Sequence, residues 1–519
     1  MLVECSNHAA ASTTPLSVPY LLCKKFSLEA CDACASLKDI DSRIHDVQES
    51  LRKLLDARQQ IVIEANRCHD PMSTVPVEVI SQIFLYSTEG QYSEGFRLPA
   101  TRLAAVSRRW RYITLSLQQL WTSIRLSETT LTGGAEVLGK WLGRSGQLPL
   151  CISITCRPRS KFPIPDSWVQ TLDILSTSFT RWDRLYLDIP PAVMSHIKGK
   201  PSAHSILTQL EVISDYNENP VLNLFHTASP TYLTIKFIRF KALKIGWGSL
   251  VHLDVQNMRL CDCVEMFRHC INLEECDITG YNHGNEEIPP LGSPHVLPSL
   301  RRLHIAHNME RVLFRYLTLP SLEDFHASGY GDTESLISMF ARSMPPLRTM
   351  ELNLVDSGEP LIRLLRLAPS IQSLTIETRY SMSNHFFDLL SSTALLPNNL
   401  SSNNQFLPRL HTLYLSTDDD VFTWTNVARI FPVISEPAQL TGFHLRPLSK
   451  LEIKVYDTRR HHFIDEASLE RFEELRKEGI DIWIFDDTFW EPHDLLDWSR
   501  RFLIDGETYT LSESSCASE

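Results

Sequence analysis

Cys261, Cys263, Cys270 and Cys276, with His269 among them, are the densest group of metal-ligating residues in the sequence. A structural zinc takes four such ligands in a closed tetrahedron. Cys263 and Cys276, however, stand where the surrounding pattern calls for small buried apolar groups, and a free thiol packs as one. Cys31-Asp32-Ala33-Cys34 also has zinc-like spacing, but Cys68 and His69, which would complete it, lie across a helical segment. Asp418-Asp419-Asp420 and Asp486-Asp487 lack an EF-hand frame and read as solvated acidic surface. His461-His462 follows two arginines in an expected exposed turn, and Gly246-Trp247-Gly248 is too short to cradle a phosphate. The sequence holds no nucleophile elbow, phosphate loop, dinucleotide fingerprint or zincin helix. The expectation is a protein that is not an enzyme and that uses no cofactor and no metal.

Composition narrows the partners. At 519 residues the chain is too long for one compact core, so several modules or a repeat array are expected. A net charge of −12 argues against a nucleic-acid binder, which needs a broad basic face. No run approaches the roughly twenty apolar residues that span a bilayer, so no membrane is expected either. The first residues lack a basic n-region and carry Glu4, a poor secretory signal. Twelve scattered cysteines do not resemble a disulfide framework, which favours a reducing compartment, cytoplasm or nucleus.

The elements themselves are organised around Val75–Trp121. Pro76 suits the opening turn of a helix, and Val79, Ile80, Ile83 and Phe84 recur on one face of it. Pro99 opens a second helix, with Leu103, Val106 and Trp110 on a stripe beside Arg108, Arg109 and Arg111, and Leu120-Trp121 closes the unit. About fifty residues cannot bury that much apolar surface alone. Six Arg against three Glu between Val75 and Leu126 make this stretch basic within an acidic chain, which suits an acidic partner.

The order Pro-x-Glu-Val-Ile-x-x-Ile-Phe, then Val-Ser-Arg-Arg-Trp-Arg, then Leu-Trp resembles the F-box, in the divergent form common among fungal F-box proteins. Val75-Pro76 stands where the family has Leu-Pro, Ser107 where many members have Cys, and the polar insert Ser87–Leu98 is longer than the usual linker. The resemblance implies docking on a Skp-type adaptor that hangs from a cullin. Matched residue by residue, it implies an adaptor-facing set of Pro76, Val79, Ile80, Ile83, Phe84, Val106, Trp110, Leu120 and Trp121.

Two patterns flank this unit. Before it, Leu37, Ile40, Ile44, Val47, Leu51, Leu54 and Ile61 alternate at three and four residues, with Arg58 in the remaining slot. This heptad seam reads either as a weak homodimer through residues 37–61 or as a single helix, folded onto the unit after it or exposed to solvent. After Thr132-Gly133-Gly134 a Leu-x-x-Leu-x-Ile motif recurs, beginning at Leu250, Leu273, Leu300, Leu322, Leu347 and Ile371, with later copies at Leu410 and Leu448 and weaker ones at Trp182 and Leu207. The central spacings of 22 to 27 residues lie in the leucine-rich-repeat range. Helical periodicity fills the intervals at 262–270 and 334–340, and this half resembles the irregular leucine-rich repeats of F-box proteins.

The expected fold class is therefore α/β: a disordered N-terminus over 1–35, an amphipathic or coiled-coil helix over 36–70, an all-helical F-box over 72–127, a leucine-rich-repeat-like solenoid over 135–490 and a flexible tail over 491–519. Leu390–Phe406 and Asp418–Pro447 are expected as loops or protrusions. The expected function is that of a substrate receptor in a Skp–cullin–F-box ubiquitin ligase, holding an unidentified target on exposed strand positions such as His252, Asp254, His304, Arg348, Glu351, His411 and Tyr414. The alternative is a repeat scaffold that delivers no target.

Overall fold

A computed structural model describes residues 32–69, 71–88, 99–156, 164–201, 204–214, 221–224, 227–280, 293–306, 310–328, 333–354, 358–378, 382–397, 405–417, 422–433, 443–456, 463–486 and 493–505. The expectations for residues 1–31, His461-His462, Asp418-Asp419-Asp420 and the end of the tail lie outside them. The chain divides into two units, Met1–Ser123 with Thr129–Leu148, and Ile124–Glu128 with Pro149–Glu519.

The first unit opens with α1 (Asp32–His69), which starts four residues before the expected 36 and so takes in part of the N-terminus read as disordered. Asp32 in its first turn complements the helix dipole. It is not folded onto the helices that follow, because its apolar seam is exposed from Leu37 to Ile61. α2 (Val77–Thr88), α3 (Pro99–Val106), α4 (Arg108–Ser116) and a short 3-10 turn, Gln118–Trp121, come next.

The second unit is built on a 15-stranded sheet whose strands follow one another in chain order. From Leu150–Thr155 to Asp481–Asp486 every neighbouring pair is parallel. The strands His252–Gln256, Glu275–Thr279, Arg302–Ala306, Asp324–Ser328, Thr349–Leu354, Ser373–Thr378, Thr412–Thr417 and Lys450–Val455 fall on the recurring motif. Strict alternation puts Leu253, Cys276, Leu303, Phe325, Met350 and Leu374 in one buried row across the sheet. Return helices such as Leu260–Phe267 and Thr333–Ser343 supply the other side of the core, from Met266, Phe267, Met339 and Phe340.

Strand exits in this region use left-handed backbone. Phe237, Asn257 and Gly280, each one residue past its strand, have φ of 61°, 56° and 72°. The Asn257 N–H donates to the Thr279 carbonyl at 2.9 Å, carrying the ladder one step past the strand. The positive φ favours glycine at 280, and a Cβ there would meet Asn257 Oδ1 at 2.6 Å, so that side chain would have to turn aside for any larger residue.

Four expectations require correction. The sheet starts at Ser123–Ser127, inside the segment read as all-helical and ahead of the expected boundary at 135. It includes Tyr232–Lys236 and Leu150–Thr155, which the motif missed because their leading leucine is absent or displaced. The tail is ordered as far as Asp505: His493–Asp494 pairs antiparallel with the sheet's last parallel strand, and Leu495 and Leu496 are buried at the head of a closing helix. The late inserts are not simple protrusions either, since Leu395–Pro397 pairs antiparallel with Phe443–Leu445. Arg446 locks that clip. Its guanidinium donates to the carbonyls of Leu390, Thr393, Phe406 and Leu407 at 2.7–3.0 Å. Burial lowers its pKa to about 10, which still leaves it charged at neutral pH.

Candidate functional site

Three devices fix the geometry of the helical unit. The Ser107 hydroxyl accepts from the Trp110 N–H at 3.1 Å with Ser107 in extended backbone, so Ser107 is the N-cap of α4. The helix expected to run on from Pro99 is thereby broken in two, and Val106 and Trp110 lie on different helices. Arg109 donates to the carbonyls of Met72 and Val75 at 2.9 and 3.0 Å, tying α4 to the chain that enters α2. Trp121 donates its indole N–H to the Thr114 carbonyl at 2.9 Å, lies 6.4 Å from the Trp141 ring and carries the Arg144 guanidinium 4.6 Å above it.

This packing divides the expected adaptor-facing residues. Ile80, Phe84, Leu120 and Trp121 are buried in the chain's own core, a correction to their assignment as contact residues. Ile80 and Phe84 point inward because α2 presents two adjacent apolar faces, and Trp110 closes over one of them with its ring 4.8 Å from that of Phe84. Trp110 is itself half-buried. Pro76, Val79, Ile83 and Val106 remain outside, Ile83 at 44% and Val106 at 61% exposure.

The sequence reading missed four exposed apolar residues here, Val77, Tyr86, Tyr112 and Leu115. Tyr86 was findable, since it continues the i, i+4, i+7 stripe of Val79 and Ile83. Arg109 was not, because a clamp is recognised only by the distant backbone groups it reaches. Exposed Arg108 and Arg111 flank Tyr112 on α4, and the Arg111 Nε donates to the Ala104 carbonyl at 2.9 Å. The unit can offer a partner an apolar stripe on α2 and a basic, aromatic face on α4.

The sheet carries a second surface. The middle outward residues of successive strands stand in register: Asp254 against Asp277, Asp277 against His304, His304 against His326, and His326 against Glu351. His304 and His326 stack at 4.1 Å, with His304 Nδ1 3.2 Å from Asp277 and His326 Nε2 3.4 Å from Glu351. Burial, and then the positive charge of His304, holds the His326 imidazolium below its ordinary range. Burial also raises the Asp254 carboxyl, with the Asp277 charge adding to it. Of the expected target-surface residues, His252, Asp254, His304, Glu351 and Tyr414 lie on this outward face, while Arg348 and His411 precede their strands and are exposed. Asp277 and His326 were overlooked although they hold the same motif position as Asp254 and His304.

Cys263, Cys270 and Cys276 are buried, and burial raises the thiols of Cys270, to about 12, and of Cys276. Among the described residues no group of three or more His, Cys, Asp or Glu is placed to hold a metal ion. No described helix is long and apolar enough to cross a membrane.

A profile of the F-box-like family matches residues 72–127. These residues are an F-box-like domain, which implies binding to a Skp-type adaptor. No curated protein matches the chain.

Proposed function

We propose that this protein is the target-binding subunit of a Skp–cullin–F-box ubiquitin ligase. The observation that carries the reading is the F-box-like match over 72–127, on helices that leave Val79, Ile83 and Val106 uncovered. Exposed Arg108 and Arg111 would steer an acidic adaptor toward this patch. We read the sheet with its return helices as a leucine-rich-repeat-type solenoid whose outward strand face holds the target. The gain is positional: a tethered target meets the conjugating enzyme at high effective concentration, while ubiquitin transfer itself occurs elsewhere in the complex. This chain then needs no catalytic group, cofactor or metal of its own, and works in the cytoplasm or nucleus.

The test is affinity purification of the full chain beside an Ile83→Asp variant. Adaptor and cullin both retained by the wild type and lost by the variant support the proposal. Adaptor without cullin supports the scaffold alternative, and absence of both removes the ligase reading.

A further inference from the structure

α1 leaves a complete apolar seam in water. Leu37, Ile40, Ile44, Val47, Leu51, Leu54 and Ile61 are between 46% and 69% exposed. Every described residue of the helix is exposed except Glu49, which pairs with Arg52 at 2.7 Å and Lys53 at 3.6 Å. At about 1.5 Å per residue the seam runs for about 36 Å, long enough for a two-stranded coiled coil.

Charge along the seam is lopsided. From 37 to 49, Asp39, Asp41, Asp46 and Glu49 outnumber Lys38 and Arg43; from 50 to 61, Arg52, Lys53 and Arg58 outnumber Asp56. A parallel pairing of two copies would set like-charged halves side by side and press Arg58 against Arg58 inside the seam. An antiparallel pairing level at Glu49 opposes the acidic half to the basic half. It sets Leu37 opposite the partner's Ile61, Ile44 opposite the partner's Leu54 and Val47 opposite the partner's Leu51. Arg58 then falls opposite the partner's Ile40, within reach of the partner's Asp41, so the seam's one charged residue meets a carboxylate.

We propose that α1 pairs with α1 of a second copy of this chain as an antiparallel coiled coil centred on Glu49, with Arg58 of each copy against the partner's Asp41. The pairing is independent of the ligase reading, since it uses no residue of the F-box-like domain.

Sedimentation equilibrium of the full chain tests it. The wild type is expected to dimerise, and Leu51→Asp to be monomeric. Arg58→Asp and Asp41→Arg should each weaken the dimer by about tenfold or more, a typical scale for a misplaced seam charge, and combining them should restore it. In a parallel dimer Asp41 faces the partner's Ser36, so Asp41→Arg would have little effect and nothing would be restored; that outcome overturns the proposal. A wild type that stays monomeric, or a dimer indifferent to Leu51→Asp, overturns it too. Because these side chains touch no core and α1 carries no tryptophan, the thermal transition of the domains followed by tryptophan fluorescence should match the wild type in every variant, while helix melting by circular dichroism falls where the dimer is lost.

Discussion

Ile83→Asp and Phe84→Ala, at adjacent positions of α2, should fail in different ways. Full burial of an Ile or Phe side chain stabilises by about 1.5–3 kcal/mol. With 44% of Ile83 uncovered, a partner that closes over it gains about 1 kcal/mol from this residue. An aspartate in its place would also have to be desolvated against apolar groups, for a total loss of about 2–4 kcal/mol. At 1.4 kcal/mol per decade this is about thirty- to seven-hundred-fold in affinity for a Skp-type adaptor. The free variant should lose only about 1 kcal/mol of stability, because the chain itself covers little more than half of Ile83. Phe84 is 1% exposed under the Trp110 ring, so Phe84→Ala should cost about 3–5 kcal/mol of domain stability. Calorimetric titration with purified adaptor, paired with thermal melting, separates the two. Wild-type affinity of Ile83→Asp, or its melting as early as Phe84→Ala, would overturn this division of α2 into an outer and an inner face.

Three further outcomes follow from single contacts. Ser107→Ala removes the N-cap of α4 and should cost about 1 kcal/mol, read as a lower melting midpoint of the helical unit. Arg446→Met leaves four buried carbonyls without their donor and should cost about 2–4 kcal/mol, read by urea unfolding, with early proteolysis around Phe443–Leu445. His326, whose pKa is lowered from 6.5, takes up its proton later in the folded chain than in the unfolded one. Its contribution to stability is thus intact above 6.5 and is lost as pH falls below it, so urea midpoints between about pH 7.5 and 5.5 should fall less steeply in His326→Gln than in the wild type.

The sequence alone determined the elements that repeat or that carry a local signal. Apolar residues at period two marked eight successive strands, and the Pro, Trp and Leu-Trp signatures marked the helical unit. The seam of α1 was legible because three- and four-residue spacing needs no tertiary context. Which of two apolar faces looks inward was settled by packing. Val79, Ile80, Ile83 and Phe84 are alike in hydropathy, and nothing local says that Trp110 will cover Phe84 and leave Ile83 in water. Likewise Arg109 as a clamp and Arg446 as a lock depend on carbonyls brought to them from 34 to 56 residues away. A long-range partner leaves no periodicity in the chain, and burial is a property of what packs above a residue rather than of the residue itself.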